Sequence, residues 1–280
     1  MGIAHADYAS RLVREVPELI DFIEIPFEQL IKTPSAIEIR DNTSIILHCA
    51  SLSLAGNVPP KDKIVRELEH WIKETGTPWL GEHLAYIQAD GQYQGRSMHE
   101  ALVGGSDSFS IGYTVNPQFS ESILDRVISN SEYWSKLFNL PIILENGPTY
   151  FDMPGSTMSQ LEFIQKLCTR SLGTGLLLDL SHLTITCENL GINTNETLLA
   201  LPTERIVEIH ISGTHIEGEI WWDDHSRRAP NSVFELLESL QTRVKPKAIT
   251  LEYNWDGNFP TDTIIEDINR IRETLSRTPL

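Results

Sequence analysis

The chain has 280 residues, of which 40% are hydrophobic and 22% charged, proportions that are typical of a globular protein. Its 39 acidic and 22 basic side chains give a formal net charge of −17, which repels phosphate backbones and disfavours nucleic acid as a partner. No run approaches ~18 consecutive apolar residues, so no membrane span is expected. The N-terminus lacks a basic-then-apolar signal pattern, and the three cysteines show no CxxC spacing. We therefore expect a cytoplasmic protein with reduced thiols.

Short β-rich runs alternate with longer helical patterns along the chain. Strands are predicted at 21–25, 44–48, 79–83, 140–145, 175–180, 206–211 and 248–253, with a weaker one at 218–222. Helices are predicted at 62–75, 117–138, 157–171, 194–200, 231–243 and 262–276. The glycine-rich stretch 88–116 is expected to form an extended loop over the active face.

The alternation of strand and helix, repeated about eight times, favours a parallel barrel over two separate domains. No Pro/Ser-rich linker, low-complexity tract or sequence repeat divides residues 1–280. The sequence therefore predicts an α/β protein that forms a single (β/α)₈ TIM barrel.

Nine side chains of the kinds that bind metals lie at or just past the ends of apolar runs. Such an ending is unusual, because burial of a His or a carboxylate without a partner is costly. Functional residues of a parallel barrel lie at the carboxyl ends of its strands, so these side chains are expected to meet at one mouth. The nine candidates are His48, His83, Glu145, Asp179, His182, His210, Asp223, His225 and Glu252.

The chemistry of this set indicates a catalytic centre with more than one ion. Imidazole nitrogens and carboxylate oxygens suit iron, zinc or manganese, and the absence of thiolates disfavours a structural zinc site. Nine ligands are too many for one ion, so two or three ions with a bridging carboxylate fit better. Any one of these histidines alone is more often a hydrogen-bonded core or surface residue, and only the recurrence on successive strands favours a shared cluster. Glu24, at the end of the first strand, could either support the ligands or form a salt bridge inside the barrel.

Several segments resemble one enzyme family. HCASLSLAG, GEHLAY, ILENGPTYF, LLLDLSH and VEIHISGTH, with the later D-x-H pair and LEY, are similar to the motifs of the multinuclear non-haem iron-dependent oxidative enzymes. The similarity extends from about Ile23 to Glu252. It implies a barrel of the xylose-isomerase-like group.

The resemblance also implies how the ligands are divided. One ion would be held by His48, His83 and Glu145. Glu145 would bridge to a second ion held by Asp179, His210 and Glu252. A third ion would be held by His182, Asp223 and His225. Many relatives carry Asn at the position of His182, so the His in this chain favours three ions.

The family acts on ribosomally made precursor peptides, most often at a cysteine. The resemblance therefore implies an iron- and O2-dependent oxidation, with two or three ions in a mixed Fe(II)/Fe(III) state. It also implies a small partner protein that recruits the leader peptide, giving a heterodimer. The chain departs from the family pattern at Pro26, where a His is usual, and at Arg227 and Arg228, which replace part of a THGAP sequence. Because these departures fall where substrate is expected, we take Arg227, Arg228, the stretch 88–116 and His215 as candidate peptide contacts.

Three other functions stay open from the sequence. The ligand pattern also resembles the trinuclear zinc apurinic endonucleases, although the charge of −17 counts against DNA. A metal-dependent sugar isomerase or epimerase would need only Glu145, Asp179, His210 and Glu252. A non-enzymatic metal-binding role would occupy the same positions without turnover.

Overall fold

The computed structural model describes residues 1–90, 108–254 and 260–276. Its strands are β1 (Gly2–Ala4), β2 (Phe22–Pro26), β3 (Ser44–Cys49), β4 (Leu80–His83), β5 (Tyr86–Asp90), β6 (Ser108–Val115), β7 (Ile142–Glu145), β8 (Gly175–Asp179), β9 (Ile206–Ser212), β10 (Thr214–Glu217), β11 (Ile220–Asp223) and β12 (Ala248–Glu252). Eight of them close into a parallel barrel in the order β1-β12-β9-β8-β7-β4-β3-β2. The predicted TIM barrel is therefore confirmed.

The eighth strand of the barrel is β1, which was not predicted, whereas the weaker strand predicted at 218–222 forms but lies outside the barrel. β1 has three residues, too few to show a periodic pattern, yet it pairs in parallel with both β2 and β12. Ile3 lies opposite Ile23 on one side and Leu251 on the other. The residues predicted at 218–222 belong instead to an antiparallel hairpin of β10 and β11, outside the barrel.

The stretch 88–116 is only partly the extended loop that was predicted. β5 and β6 pair antiparallel and form a second two-stranded sheet. Residues 91–107 of the predicted loop lie outside the described residues.

Helices follow most strands of the barrel. In the described part of the chain they are α1 (Ala9–Glu15), α2 (Phe27–Lys32), α3 (Asp62–Thr75), α4 (Glu121–Phe138), α5 (Gln160–Arg170), α6 (Leu180–Leu190), α7 (Thr194–Ala200), α8 (Asn231–Leu240) and α9 (Thr261–Ser276), with short 3-10 helices at Pro34–Asp41 and Thr203–Arg205. Among these residues, no helix is long and apolar enough to cross a membrane.

Helix α6 was not predicted from the sequence. All of its residues from Leu180 to Cys187 are buried. A helix that is buried on every side lacks the apolar stripe with a period of 3.6 residues by which surface helices are recognised. The apolar run of the preceding strand therefore continues into the helix, and the sequence pattern does not show where the strand ends and the helix begins.

The interior of the barrel is apolar at its amino end and polar at its carboxyl end. The apolar layer consists of six buried residues, Phe22, Ile46, Trp79, Ile143, Leu177 and Ala248. Because successive side chains alternate between faces, the interior residues two positions further along β2, β3, β7, β8 and β12 form the next layer. These are Glu24, His48, Glu145, Asp179 and Thr250. A larger apolar core lies between the strands and the helices.

Candidate metal centre

The structure places all nine predicted ligands around one end of the barrel. Six of them lie on barrel strands, at or close to the carboxyl ends, namely His48, His83, Glu145, Asp179, His210 and Glu252. His182 lies in the first turn of α6, Asp223 ends β11, and His225 follows two residues later. The chain therefore brings them together as predicted, while their binding of metal stays a prediction.

The nine residues form three groups, in each of which the candidate ligand atoms lie within 4.8 Å of one another. The first group consists of His48, His83 and Glu145. The second group consists of Glu145, Asp179, His210 and Glu252. The third group consists of His182, Asp223 and His225.

Glu145 lies at the centre of the three groups. Its Oε2 atom lies 3.2 Å from Nε2 of His48 and 3.2 Å from Nε2 of His83. Its Oε1 atom lies 3.4 Å from Nδ1 of His182 and 3.6 Å from Nδ1 of His210. One carboxylate thus faces imidazoles of the first group with one oxygen and of the second group with the other, which is the arrangement that a bridging ligand requires. Its contact with the third group is to Nδ1 of His182.

Gly81 leaves room for the ring of His48. A Cβ atom at position 81 would lie 2.7 Å from Nδ1 of His48 and 3.1 Å from a methyl carbon of Leu177. Any larger residue would therefore push the imidazole away from Glu145. The Gly of the GEH frame is a requirement of the site.

Asn146 and Asp179 fix the orientation of His182. Asp179 caps helix α6, and its Oδ1 atom accepts the backbone N–H of His182 at 2.6 Å. Asn146 accepts the backbone N–H of Asp179 at 2.9 Å and donates to its carbonyl at 3.0 Å. Nδ1 of His182 lies 2.9 Å from the carbonyl oxygen of Asn146 and must carry a proton to bond with it. Nε2 is therefore the free nitrogen of His182, and it lies 3.5 Å from Oδ2 of Asp223.

The charges within the cluster are balanced by imidazoles. Burial lowers the pKa of His210, but the carboxylates of Glu24 and Glu252 raise it well above its ordinary value. Burial raises the pKa of Asp179 to about 7, although the neighbouring His182 lowers it. No Lys or Arg of the described residues forms an ion pair with the nine side chains. Metal ions bound here would take the place of the imidazole protons.

The unpaired atoms of the cluster fit metal binding. Buried polar atoms are nearly always hydrogen-bonded, because leaving them unpaired is costly. Within the described residues, five buried atoms of the predicted ligands that face the cluster make no hydrogen bond: Glu145 Oε2, Asp179 Oδ2, His182 Nε2, His210 Nδ1 and His225 Nε2. The unpaired Nδ1 of His48 lies against Gly81 instead. Imidazole and carboxylate donors without thiolate suit iron, manganese or zinc. The donor set and its unpaired atoms therefore fit a centre of more than one ion.

A cavity of about 330 Å³ opens above the cluster. Its floor contains six of the nine predicted ligands, namely His83, Glu145, His182, Asp223, His225 and Glu252. Tyr150, Phe151 and Met153 form part of its apolar wall, and the Tyr150 ring lies 4.8 Å from the ring of Trp222. Thr114, Val115 and Asn116, from the stretch 88–116, also line it.

The groups differ in their access to this cavity. The side chains of His83, Asp223 and His225 are 24%, 26% and 30% exposed. Asp179 and His210, in the second group, are 0% exposed. The first and third groups therefore face the cavity with exposed ligands, whereas the second group reaches it only through Glu145 and Glu252.

Three of the four candidate peptide contacts, His215, Arg227 and Arg228, lie apart from the described lining of the cavity. The fourth, the stretch 88–116, contributes Thr114, Val115 and Asn116 to it. Nδ1 of His215 lies 3.1 Å from Oδ2 of Asp224, and Nε of Arg227 donates to the same oxygen at 2.9 Å. Arg228 donates to Asp267 at 2.7 Å. All three are engaged by carboxylates of this chain, and their contact with a peptide stays a prediction.

Sequence reasoning missed two buried acids near the cluster. Glu208 lies on the same face of β9 as His210 and accepts from Nε1 of Trp79 at 2.8 Å. The alternation of side chains along the strand could have identified it. Glu82 lies next to His83 but on the other face of β4, opposite Cys49 in the strand register. Burial raises the pKa of Glu82 well above its ordinary value.

Comparisons with known proteins agree on one family and one fold. A family model described as RiPP precursor modification enzyme MbnB/TglH/ChrH matches residues 1–276. A UPF0276 protein of Caulobacter vibrioides is 26% identical over 278 residues, covering 97% of this chain and 92% of its own length. A UPF0276 protein of Bordetella pertussis is 26% identical over 288 residues, covering 99% and 92%.

Solved structures of other enzymes are similar in fold. A putative xylose isomerase from Rhodospirillum rubrum has a TM-score of 0.56 at 14% identity, covering 100% of this chain and 99% of its own. Endonuclease IV from Thermus thermophilus has a TM-score of 0.54 at 13% identity, covering 99% of both chains. At such low identity these similarities establish the xylose-isomerase-like barrel and carry no further conclusion.

Proposed function

This chain belongs to the MbnB/TglH/ChrH family of enzymes that modify the precursors of ribosomally made, post-translationally modified peptides (RiPPs), and on that premise we propose that it oxidises one residue of such a peptide, with cysteine as the favoured target. The reaction would take place at two or three iron ions in a mixed Fe(II)/Fe(III) state, and O2 would be the oxidant. The observation that carries this proposal is the position of Glu145, whose two oxygens face the imidazoles of three groups at the floor of one cavity.

Iron fits this proposal better than zinc. Zinc has no redox chemistry, whereas iron bound by imidazole and carboxylate supplies it. The protein's own contribution is to hold the ligand nitrogens in defined orientations, as Asn146 does for His182. It also keeps two ligands of the second group away from water, since Asp179 and His210 are fully buried.

The cavity supports a peptide side chain as the substrate. A volume of about 330 Å³ takes one or two side chains and excludes a folded protein. A thiol that enters it would meet the exposed ligands of the first and third groups, His83, Asp223 and His225. The aromatic wall would bind the flanking part of the peptide. A small partner protein that recruits the leader peptide, in a heterodimer with this chain, completes the proposal.

The test begins with metal analysis of protein purified without oxygen. We expect ~2–3 iron ions per chain. A cysteine-containing precursor peptide encoded beside this chain's gene, with the partner protein, should lose or gain mass in O2 but not under nitrogen. Stoichiometric zinc together with cleavage of abasic DNA would contradict the proposal and favour a hydrolase.

We expect Phe151→Ala to raise the KM for the peptide by ~10-fold, with kcat and metal content nearly unchanged. Phe151 is 61% exposed at the cavity wall and belongs to none of the three ligand groups, so it contributes apolar contact and no metal ligand. Steady-state kinetics followed by mass spectrometry, with iron determination on the same samples, measures both.

The matched control is Tyr133→Ala. Tyr133 is an aromatic residue on α4 that is 60% exposed and does not line the described wall of this cavity. Its removal should leave the KM unchanged. Equal changes in both variants would show that Phe151 does not form the peptide site.

A further inference from the structure

His210 presents different neighbours to its two ring nitrogens. Nδ1 lies 3.1 Å from Oε2 of Glu252 and 3.6 Å from Oε1 of Glu145, both in the second group. This nitrogen is buried and makes no hydrogen bond in the described part of the chain. Nδ1 is therefore the atom that is available to an ion.

Nε2 of His210 points the opposite way, into the barrel. Its nearest acceptor is Oε2 of Glu24 at 3.0 Å, and Oε1 of Glu208 follows at 3.7 Å. A neutral imidazole that gives Nδ1 to an ion carries its proton on Nε2. That proton must be held by an acceptor, because the ring is fully buried.

Glu24 is the acceptor that the geometry favours. Glu208 is already engaged at both oxygens, by the Thr250 hydroxyl at 2.8 Å and by Nε1 of Trp79 at 2.8 Å. Glu24, which is 2% exposed, forms the shortest contact of the Nε2 atom. A carboxylate oxygen of Glu24 also lies within 4.8 Å of a ring nitrogen of His48, so Glu24 is adjacent to a ligand of the first group as well as to one of the second.

We infer that Glu24 is a positioning residue of the metal centre, whose carboxylate holds the Nε2 proton of His210 and thereby presents Nδ1 to the ion of the second group. A carboxylate behind a ligating imidazole fixes the tautomer and the ring orientation and makes the imidazole a stronger donor. The inference rests on the proposed metal centre but not on the peptide reaction. It gives a role to Glu24, an acid outside the nine predicted ligands whose carboxylate lies within 4.8 Å of ring nitrogens of His48 and His210.

The test is the affinity of Glu24→Gln for iron. Gln has the same shape as Glu but no charge, so it cannot hold the proton as an anion does. Wild-type and variant protein are loaded with Fe(II) without oxygen, and the ions are titrated against a chromophoric chelator. We expect the variant to bind the same number of ions at saturation, but one of them ~10–100-fold more weakly. The absorption bands of the Co(II)-loaded variant should also shift.

Glu208→Gln is the matched control. Glu208 is fully buried in the same interior and lies 3.7 Å from Nε2 of His210, beyond hydrogen-bonding distance. We expect both variants, Glu208→Gln and Glu24→Gln, to lower the melting temperature of the metal-free protein. Glu208→Gln should leave the iron affinity and the Co(II) spectrum unchanged.

Several results would overturn the inference. Unchanged iron affinity in Glu24→Gln would do so, as would an equal loss in the Glu208→Gln control, which would indicate a general disturbance of the interior. Loss of a whole ion at saturation would make Glu24 a ligand in its own right. If the wild-type chain binds no ion at all, the proposed function fails and this inference fails with it.

Discussion

Glu145→Gln is expected to weaken the binding of two metal ions at least ~100-fold and to abolish oxidation of the peptide. The reason is geometric, because Oε2 faces His48 and His83 in the first group while Oε1 faces His210 in the second. Gln keeps the size of the side chain but replaces one carboxylate oxygen by an NH2 group, which cannot bind a cation. Iron determination after anaerobic loading, together with mass spectrometry of the peptide, measures both effects.

A second buried acid provides the control for this variant. Glu82 is fully buried at the same end of the barrel but belongs to none of the three groups. Burial raises the pKa of its carboxyl well above the ordinary value, which favours the uncharged acid that Gln imitates closely. Glu82→Gln should therefore keep its iron and its activity. Full iron occupancy in Glu145→Gln would show that Glu145 does not bridge the groups.

His182→Asn is expected to remove one ion and to leave the other two. Nε2 of His182 lies 3.5 Å from Oδ2 of Asp223, whereas its Nδ1 is held by the carbonyl of Asn146. Asn is shorter, so the third group would retain only Asp223 and His225. We expect the affinity of the third ion to fall at least ~100-fold, with iron content lower by one ion per chain.

This variant also decides how many ions the reaction needs. Retained peptide oxidation with one ion fewer would mean that the first two groups suffice. His215→Asn is its control, since Nδ1 of His215 lies 3.1 Å from Oδ2 of Asp224 and His215 belongs to none of the three groups. That control should keep every ion. An unchanged iron content in His182→Asn would remove the third group from the proposed centre.

Much of the site could be predicted because the sequence pattern indicates where the strands end. Apolar runs that stop on a His or an acid mark the carboxyl ends of strands, and a parallel barrel brings those ends to one mouth. The grouping of the ligands came from the family resemblance, and the distances around Glu145 agree with it. The short strand β1, helix α6 with its first eight residues buried, and the hairpin of β5 and β6 have no comparable periodic signal, so they appeared only in the structure.

The sequence by itself determined the barrel, the identity of the nine candidate ligands and the family to which the chain belongs. Only the tertiary structure decided which nitrogens of His182 and His210 are free and which acid contacts the other nitrogen of His210. Those facts depend on contacts between residues far apart in the chain, such as Glu24 and His210, which are separated by 186 positions. Periodicity reports on which face of a strand a residue lies, but the closure of the barrel sets which atoms meet across its interior.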